Sequence, residues 1–250
     1  MAQAYTADFE RSSAQYASIT NDLGITNGAI TISAWFNIES SPGSGETYAI
    51  AQKGDAGTQV YYRVAYFNNA GTPQMYFRRG REWINGTSIT YNVTFSVDTW
   101  HHVVCRYDGD AMEMFVDGVS VASATGVTGD GTMTLSDHFL VAVIDTTGSS
   151  TLTPTTAHCF DGKIDDVIVF NADIGDTRSA ALYNTPCNPD LTNAVARYTM
   201  DAQDFTDDVG AFDMTGSGTP TFQNASLPYS CAGAAGPKQG TRLCLTGVGT

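Results

Sequence analysis

The sequence predicts an all-β protein, folded as a two-sheet antiparallel sandwich, on three observations. Val, Ile, Thr, Tyr and Phe are plentiful, whereas Lys, Glu and Leu, the usual material of exposed helices, are scarce. The 25 glycines punctuate the chain at short intervals. Nine short β-rich runs precede residue 175 with no helical run of comparable length between them, which favours antiparallel pairing over βαβ crossovers.

The elements follow in order. In TISAWFNI, alternation puts Ile32, Ala34 and Phe36 on one face, expected to be core, and Ser33, Trp35 and Asn37 on the other. ETYAIAQKG, VYYRVAYFN, QMYFRRG and SITYNVTFSV continue the strand pattern. In HHVVCRYDG, which Trp100 introduces, Val103, Cys105 and Tyr107 share the inward parity, and Asp108-Gly109 turns the chain into MEMFVDGVSVAS. Within that stretch Asp117-Gly118 marks a tight hairpin, because both positions tolerate positive φ. HFLVAVI and KIDDVIVFNADI complete the set, with Gly162 permitting a close chain passage before Ile164, Val167 and Val169 enter the core. A single short helix is expected near 176–184, capped by Asp176, with Ile174, Ala180, Ala181 and Tyr183 covering one face and Pro186 ending it.

Formal charge is −14 and the pI is about 4.3, so the surface repels phosphate backbones, which counts against nucleic acid as a partner. Residues 1–20 include Asp8, Glu10 and Arg11 and have no apolar core of signal-peptide length, and no stretch reaches the roughly 18 apolar residues of a membrane span. No Sec export and no membrane insertion are expected. Of five cysteines, Cys105 sits in an apolar run and reads as a buried free thiol. Cys231 and Cys244, flanking a Gly-rich loop, are the expected disulfide, left reduced if the chain assembles in cytosol.

Three stretches in this order resemble the laminin-G-like family, the concanavalin A-like jelly rolls: ADFERSSAQYASI with ITISAWFNI, WHHVVCRYDGDAMEMFVDGVSVAS, and FDGKIDDVIVFNADIGDTRSAALYN. The resemblance covers about residues 5–185 and implies a jelly-roll sandwich over 1–187. Residues 188–250 are expected to add strands to the same sandwich, the alternative being a truncated second repeat; AVARYTMDAQDFTDDVGAFDMTGSGTPTF is similar to the segment that ordinarily precedes the family's first strand. A calcium ion where the termini meet is a further implication. Asp207 matches the family's acidic loop position, Asp165 lies on the strand that approaches it, and Asp8 is placed to join them; the same acids also suit turns and hairpin caps.

Catalytic chemistry finds little support in the residues. Glucanases of this fold carry alternating Glu, Asp and Glu on one strand, and this chain has no E-x-D-x-E. His101 and His102 are adjacent in a strand and point to opposite faces. Glycan binding requires an aromatic platform with amides and charges beside it. Tyr61, Tyr62, Tyr66, Tyr76 and Trp83, with Asn68 and Asn69, supply one if the middle hairpins face outward, and are core if they do not. Arg78, Arg79 and Arg81 gather three of the 12 basic residues into YFRRGREW, a spot for an acidic neighbour or anionic sugar, or a solubilising turn.

No catalytic residue is assigned. Chains of this family that open with a motif such as DFERSSAQYASI resemble bacteriophage structural proteins, made in host cytoplasm without an export signal. The expected function is a non-enzymatic virion surface component, in a capsid decoration, tail or fibre, contacting other virion proteins or copies of itself and cell-surface glycans. The alternatives are a free carbohydrate-binding module exported by a non-Sec route and a divergent glycoside hydrolase.

Overall fold

The computed structural model describes residues 5–25, 28–55, 59–80, 86–127, 138–145, 152, 154–224 and 227–229. Among these residues, fifteen strands fall into two antiparallel sheets. One has eight strands. Its path runs β10 (Val119–Ala124), β9 (Met112–Val116), β8 (Trp100–Tyr107), β3 (Ile30–Ile38), β12 (Gly162–Phe170), β1 (Tyr5–Phe9) and β15 (Thr221–Asn224), with β13 (Ala194–Tyr198) also on β12. The other has seven: β14 (Thr215–Ser217), β2 (Tyr16–Thr20), β11 (His138–Val141), β4 (Thr47–Asp55), β5 (Gln59–Asn69), β6 (Thr72–Arg79) and β7 (Thr87–Asn92). This is the antiparallel sandwich that the strand pattern predicts, in the jelly-roll form that the family resemblance implies. Residues 194–224 supply β13 and β15 to the first sheet and β14 to the second.

The core lies between the sheets because period-two alternation sends every second apolar side chain inward. Ile32, Ala34 and Phe36 meet Val103, Cys105, Tyr107, Ile164, Val167 and Val169 there, against Tyr48, Tyr62, Val64, Tyr66, Met75 and Phe77 of the facing sheet. The predicted turns form as expected. Asp117 and Gly118 both have positive φ, 49° and 78°, between the paired Val116 and Val119. Asp108 Oδ1 accepts the backbone N–H groups of Asp110 and Ala111 at 2.8 and 2.6 Å. At Gly162, φ is 133° and a Cβ would lie 2.2 Å from the Asn37 carbonyl, so only glycine admits this passage.

The helix, α1 (Gly175–Asn184), departs from expectation in its cap and its buried face. Ile174 occupies the N-cap without a side-chain bond, and Asp176 instead pairs with Arg106, which also holds Glu113 and Asp173. Ser179 and Leu182 are buried, while Ala180 and Ala181 are only half-buried. The reason is tertiary: Ile174 and Leu182 cover Val104, Phe115, Ile168 and Phe170 on the outer face of the eight-stranded sheet, and the three-residue spacing of Ser179 and Leu182 sets the contact row. Ser33, Trp35 and Asn37 are buried although they face away from the core, and at Trp35 the helix supplies part of the cover. Tyr183 stacks on Trp35 at 5.5 Å, and Tyr229 lies 5.0 Å from the same ring.

Cys105 and Cys159 are free and buried, and Cys187 is disulfide-bonded. Cys231 and Cys244 lie outside the described residues. No helix among the described residues is long and apolar enough to cross a membrane.

Candidate functional site

The middle hairpins carry two faces, and their aromatics divide between them. Tyr62 and Tyr66 point inward and are 1% and 0% exposed, their hydroxyls donating to the Gly28 and Val93 carbonyls. Arg79 shares that inward parity, 5% exposed, with its guanidinium 4.2 Å over the Tyr107 ring. Asn68 closes the hairpin, donating to the Pro42 carbonyl and accepting the Gly71 N–H, each at 2.8 Å. Trp83 and Arg81 lie outside the described residues, as does the side chain of Tyr61. Among the described side chains of the aromatic set expected to bind sugar, Tyr76 is the one on the outer face. The alternation that makes a sandwich draws Tyr62, Tyr66 and Arg79 away from Tyr76.

What the outer face of the seven-stranded sheet presents is a set of three cross-strand rows. Gln52, Arg63, Arg78 and Ser88 are mutual partners across β4 to β7; Ala49, Ala65, Tyr76 and Thr90 form the next row; Thr47, Phe67, Gln74 and Asn92 the third. Hydrogen bonds fix the first two rows. Arg63 Nε donates to Gln52 Oε1 at 2.9 Å, and Arg63 Nη1 donates to the Tyr76 hydroxyl at 3.2 Å. Gln52 Nε2 donates in turn to the Gly54 carbonyl at 2.6 Å. Arg63 is 4% exposed, so its guanidinium is held rather than solvated. Tyr76 and Phe67 meet edge to face at 6.3 Å and remain half-buried, and Ser88, Thr90 and Asn92 are exposed. Gln52 and Arg63 are absent from the sequence-derived set; the signal available was their outward parity beside Tyr76 in neighbouring strands.

The acids expected to ligate calcium lie in three settings. Asp207 is a loop organiser: Oδ1 accepts the Arg197 and Val209 N–H groups at 2.9 and 3.0 Å, and Oδ2 accepts Phe212 N–H at 3.2 Å. Asp165 is 3% exposed beside Asp166 and Tyr229, and burial first, then the Asp166 charge, pushes its pKa well above the carboxylate range. Asp8 belongs to another group, in which Asp8, Glu10 and Glu39 each offer one oxygen within 4.8 Å of the others. Burial and the Glu39 charge raise Asp8 to about 6. Among the described residues, the three predicted ligands do not converge on one point.

The histidines have structural duties. Asp117 accepts the His102 backbone N–H at 2.8 Å and pairs with His101 Nδ1 at 2.8 Å, pinning the hairpin to its neighbouring strand. His102 Nε2 bonds the Ser33 hydroxyl at 2.9 Å. Full burial pushes its pKa down to about 3.

Comparison with known proteins agrees with this architecture. A family model described as the concanavalin A-like lectin/glucanases superfamily matches residues 11–177. A protein from Bacteroides ovatus, provisionally described as carbohydrate binding, superposes with a TM-score of 0.64 at 15% identity over 92% of this chain and 62% of its own. The chain therefore spans less than two thirds of that protein. The heptameric SAP-like pentraxin of Limulus polyphemus superposes with a TM-score of 0.62 at 10% identity, over 90% of this chain and 97% of its own. At these identities the likeness is one of fold. No curated protein matches the sequence.

Proposed function

Since the chain belongs to the concanavalin A-like lectin/glucanases superfamily, we propose that it is a non-enzymatic recognition protein that binds carbohydrate on the outer face of its seven-stranded sheet. The observation that carries this reading is the Gln52–Arg63–Tyr76 chain of hydrogen bonds. It fixes a guanidinium and an aromatic ring next to each other before any ligand arrives, which lowers the ordering cost of binding. Tyr76 and Phe67 offer ring surface to the apolar C–H face of a sugar, and Arg78 and Gln74 stand beside them for its hydroxyls. The three rows contain no carboxylate, and hydrolysis of a glycosidic bond needs a pair of them across the sugar.

The setting we propose is the surface of a bacteriophage particle, with other virion proteins or copies of this chain as neighbours. Its support is the resemblance of DFERSSAQYASI to virion proteins of the family. A glycan array probed with the purified protein tests the binding claim. Retention of a related group of glycans by the native protein and its loss in Tyr76→Ala support the reading; an array with no retained glycan overturns it.

A further inference from the structure

The five cysteines divide unequally. Cys105 and Cys159 are free and buried, and Cys187 is disulfide-bonded. Within the chain this leaves Cys231 and Cys244 from which its partner is drawn, both outside the described residues. Cys187 takes one of the two, so the Cys231–Cys244 pair expected from the sequence does not form.

Position along the chain favours Cys231. Cys187 follows Tyr183 of α1 by four residues, in a turn closed by the Asn188 N–H on the Thr185 carbonyl at 3.2 Å. Cys231 follows Tyr229 by two residues. Tyr183 and Tyr229 meet on one ring, that of Trp35, at 5.5 and 5.0 Å. The chain thus leaves a common point toward both cysteines, and at ~3.3–3.6 Å per residue so few residues easily span the gap between two tyrosines on one ring. From Tyr229 to Cys244 the path is 15 residues, and a longer loop closes at a greater entropic cost.

What the two tyrosines cover is a cross-strand row on the outer face of the eight-stranded sheet. Register places Asp165 of β12 opposite Trp35 of β3, and Trp35 opposite His102 of β8. These residues are 3%, 3% and 1% exposed although they face away from the core. Trp35 Nε1 is buried and takes part in no hydrogen bond, so ring packing is what Tyr229 offers it. A ring contact of this kind is weak by itself, and a covalent tether two residues further on keeps the ring at high local concentration.

The disulfide is also placed where it can be opened. Cys187 is exposed, whereas burial holds the Cys105 thiol well above its ordinary pKa and pushes Cys159 up to about 11. Exposed disulfides are the labile, regulatory ones, and a buried thiol that stays protonated does not compete in exchange.

We propose that Cys187 and Cys231 form a redox latch, which fastens Tyr229 over the Asp165, Trp35 and His102 row when oxidised and releases it when reduced. Closure exchanges two protein thiols with one low-molecular-weight disulfide, such as oxidised glutathione, to give the protein disulfide and two small thiols. A dithiol reverses it, passing two electrons and two protons to the protein sulfurs and becoming a disulfide itself. The latch is open in a reducing cytosol and shut in an oxidising exterior. It lies on the opposite sheet from the proposed sugar surface, and the two readings stand or fall separately.

The test compares the full-length protein oxidised with glutathione disulfide and reduced with dithiothreitol. Peptide mapping by mass spectrometry of the oxidised form is expected to recover the Cys187 peptide linked to that of Cys231. Hydrogen exchange at the Trp35 indole N–H, followed by NMR and assigned with Trp35→Phe, is expected to speed up about tenfold or more on reduction. Cys187→Ser, at an exposed position, is expected to exchange at the fast rate under both conditions, and Tyr229→Ala to do so with the disulfide intact. Cys244→Ser is expected to behave as the native protein does. A Cys187 peptide that is linked to Cys244, or that carries a free thiol after oxidation, overturns the proposal. Indole exchange that is the same in the two redox states overturns it as well.

Discussion

Arg197 donates through Nε to Asp166 Oδ1 at 2.6 Å, joining β13 to the point where β12 breaks its register. Asp166 has φ of 45°, a left-handed conformation at the irregularity between Asp165 and Ile168. The first half of β12 pairs with β1 and the second half with β13. The ion pair thus fastens residues beyond 190 to the middle of the eight-stranded sheet.

Removing one partner from a pair with side chains 20% and 7% exposed leaves a poorly solvated charge behind. Arg197→Met is expected to destabilise the protein by about 3 kcal/mol, and Arg197→Lys by less. Urea denaturation checks this: the midpoint should fall with little change in slope. An unchanged midpoint would mean that the pair contributes nothing to holding β13.

Gly162 offers a backbone test. A methyl group there meets the Asn37 carbonyl at 2.2 Å, in a conformation of φ 133° that side chains rarely adopt. Gly162→Ala is expected to cost more than about 2 kcal/mol, because both steric overlap and backbone strain oppose it. Gly109→Ala, with open space around its φ of 112°, isolates the strain contribution and should cost less. Thermal melting of the two variants side by side separates these effects; equal losses would remove the close-approach argument.

His102 makes stability depend on acid. Its pKa is pushed down to about 3 in the folded chain, below the ordinary value of 6.5. Above 6.5 the residue is neutral in both states and its contribution is intact. As pH falls through the window from 6.5 to 3, the unfolded chain takes up a proton that the folded chain refuses, and stability declines. The loss attributable to this residue between pH 7 and pH 4 is on the order of 3 kcal/mol. His102→Gln, whose amide can still meet Ser33, should flatten the decline, as measured by urea denaturation at several pH values. A slope identical to that of the native protein would show that other groups cause it.

The strand pattern was readable because alternation is a local property. Ile32, Ala34 and Phe36, the Asp117-Gly118 turn and the close passage at Gly162 each follow from a few neighbouring residues. Which face of a strand meets a second layer is not local. Trp35 reads as an outward residue, and its burial depends on Tyr183 of the helix and on Tyr229, both far along the chain. The proposed binding surface was hidden for the same reason. Tyr62, Tyr66 and Tyr76 look equivalent in sequence, yet strand parity across β5 and β6 sends two of them into the core and leaves the third beside Arg63. Asp8, Glu10 and Glu39 meet only because β12 lies between β1 and β3.

Carbohydrate recognition by the outer face of the seven-stranded sheet is tested most directly by an NMR titration of the isotope-labelled protein with the sugar that a glycan array retains best. Chemical-shift changes are predicted to centre on Gln52, Arg63, Gln74, Tyr76 and Arg78, and Tyr76→Ala is predicted to weaken binding about tenfold, the loss of ~1 kcal/mol of ring contact and more. Changes confined to the eight-stranded sheet, or an affinity indifferent to Tyr76, would contradict the account.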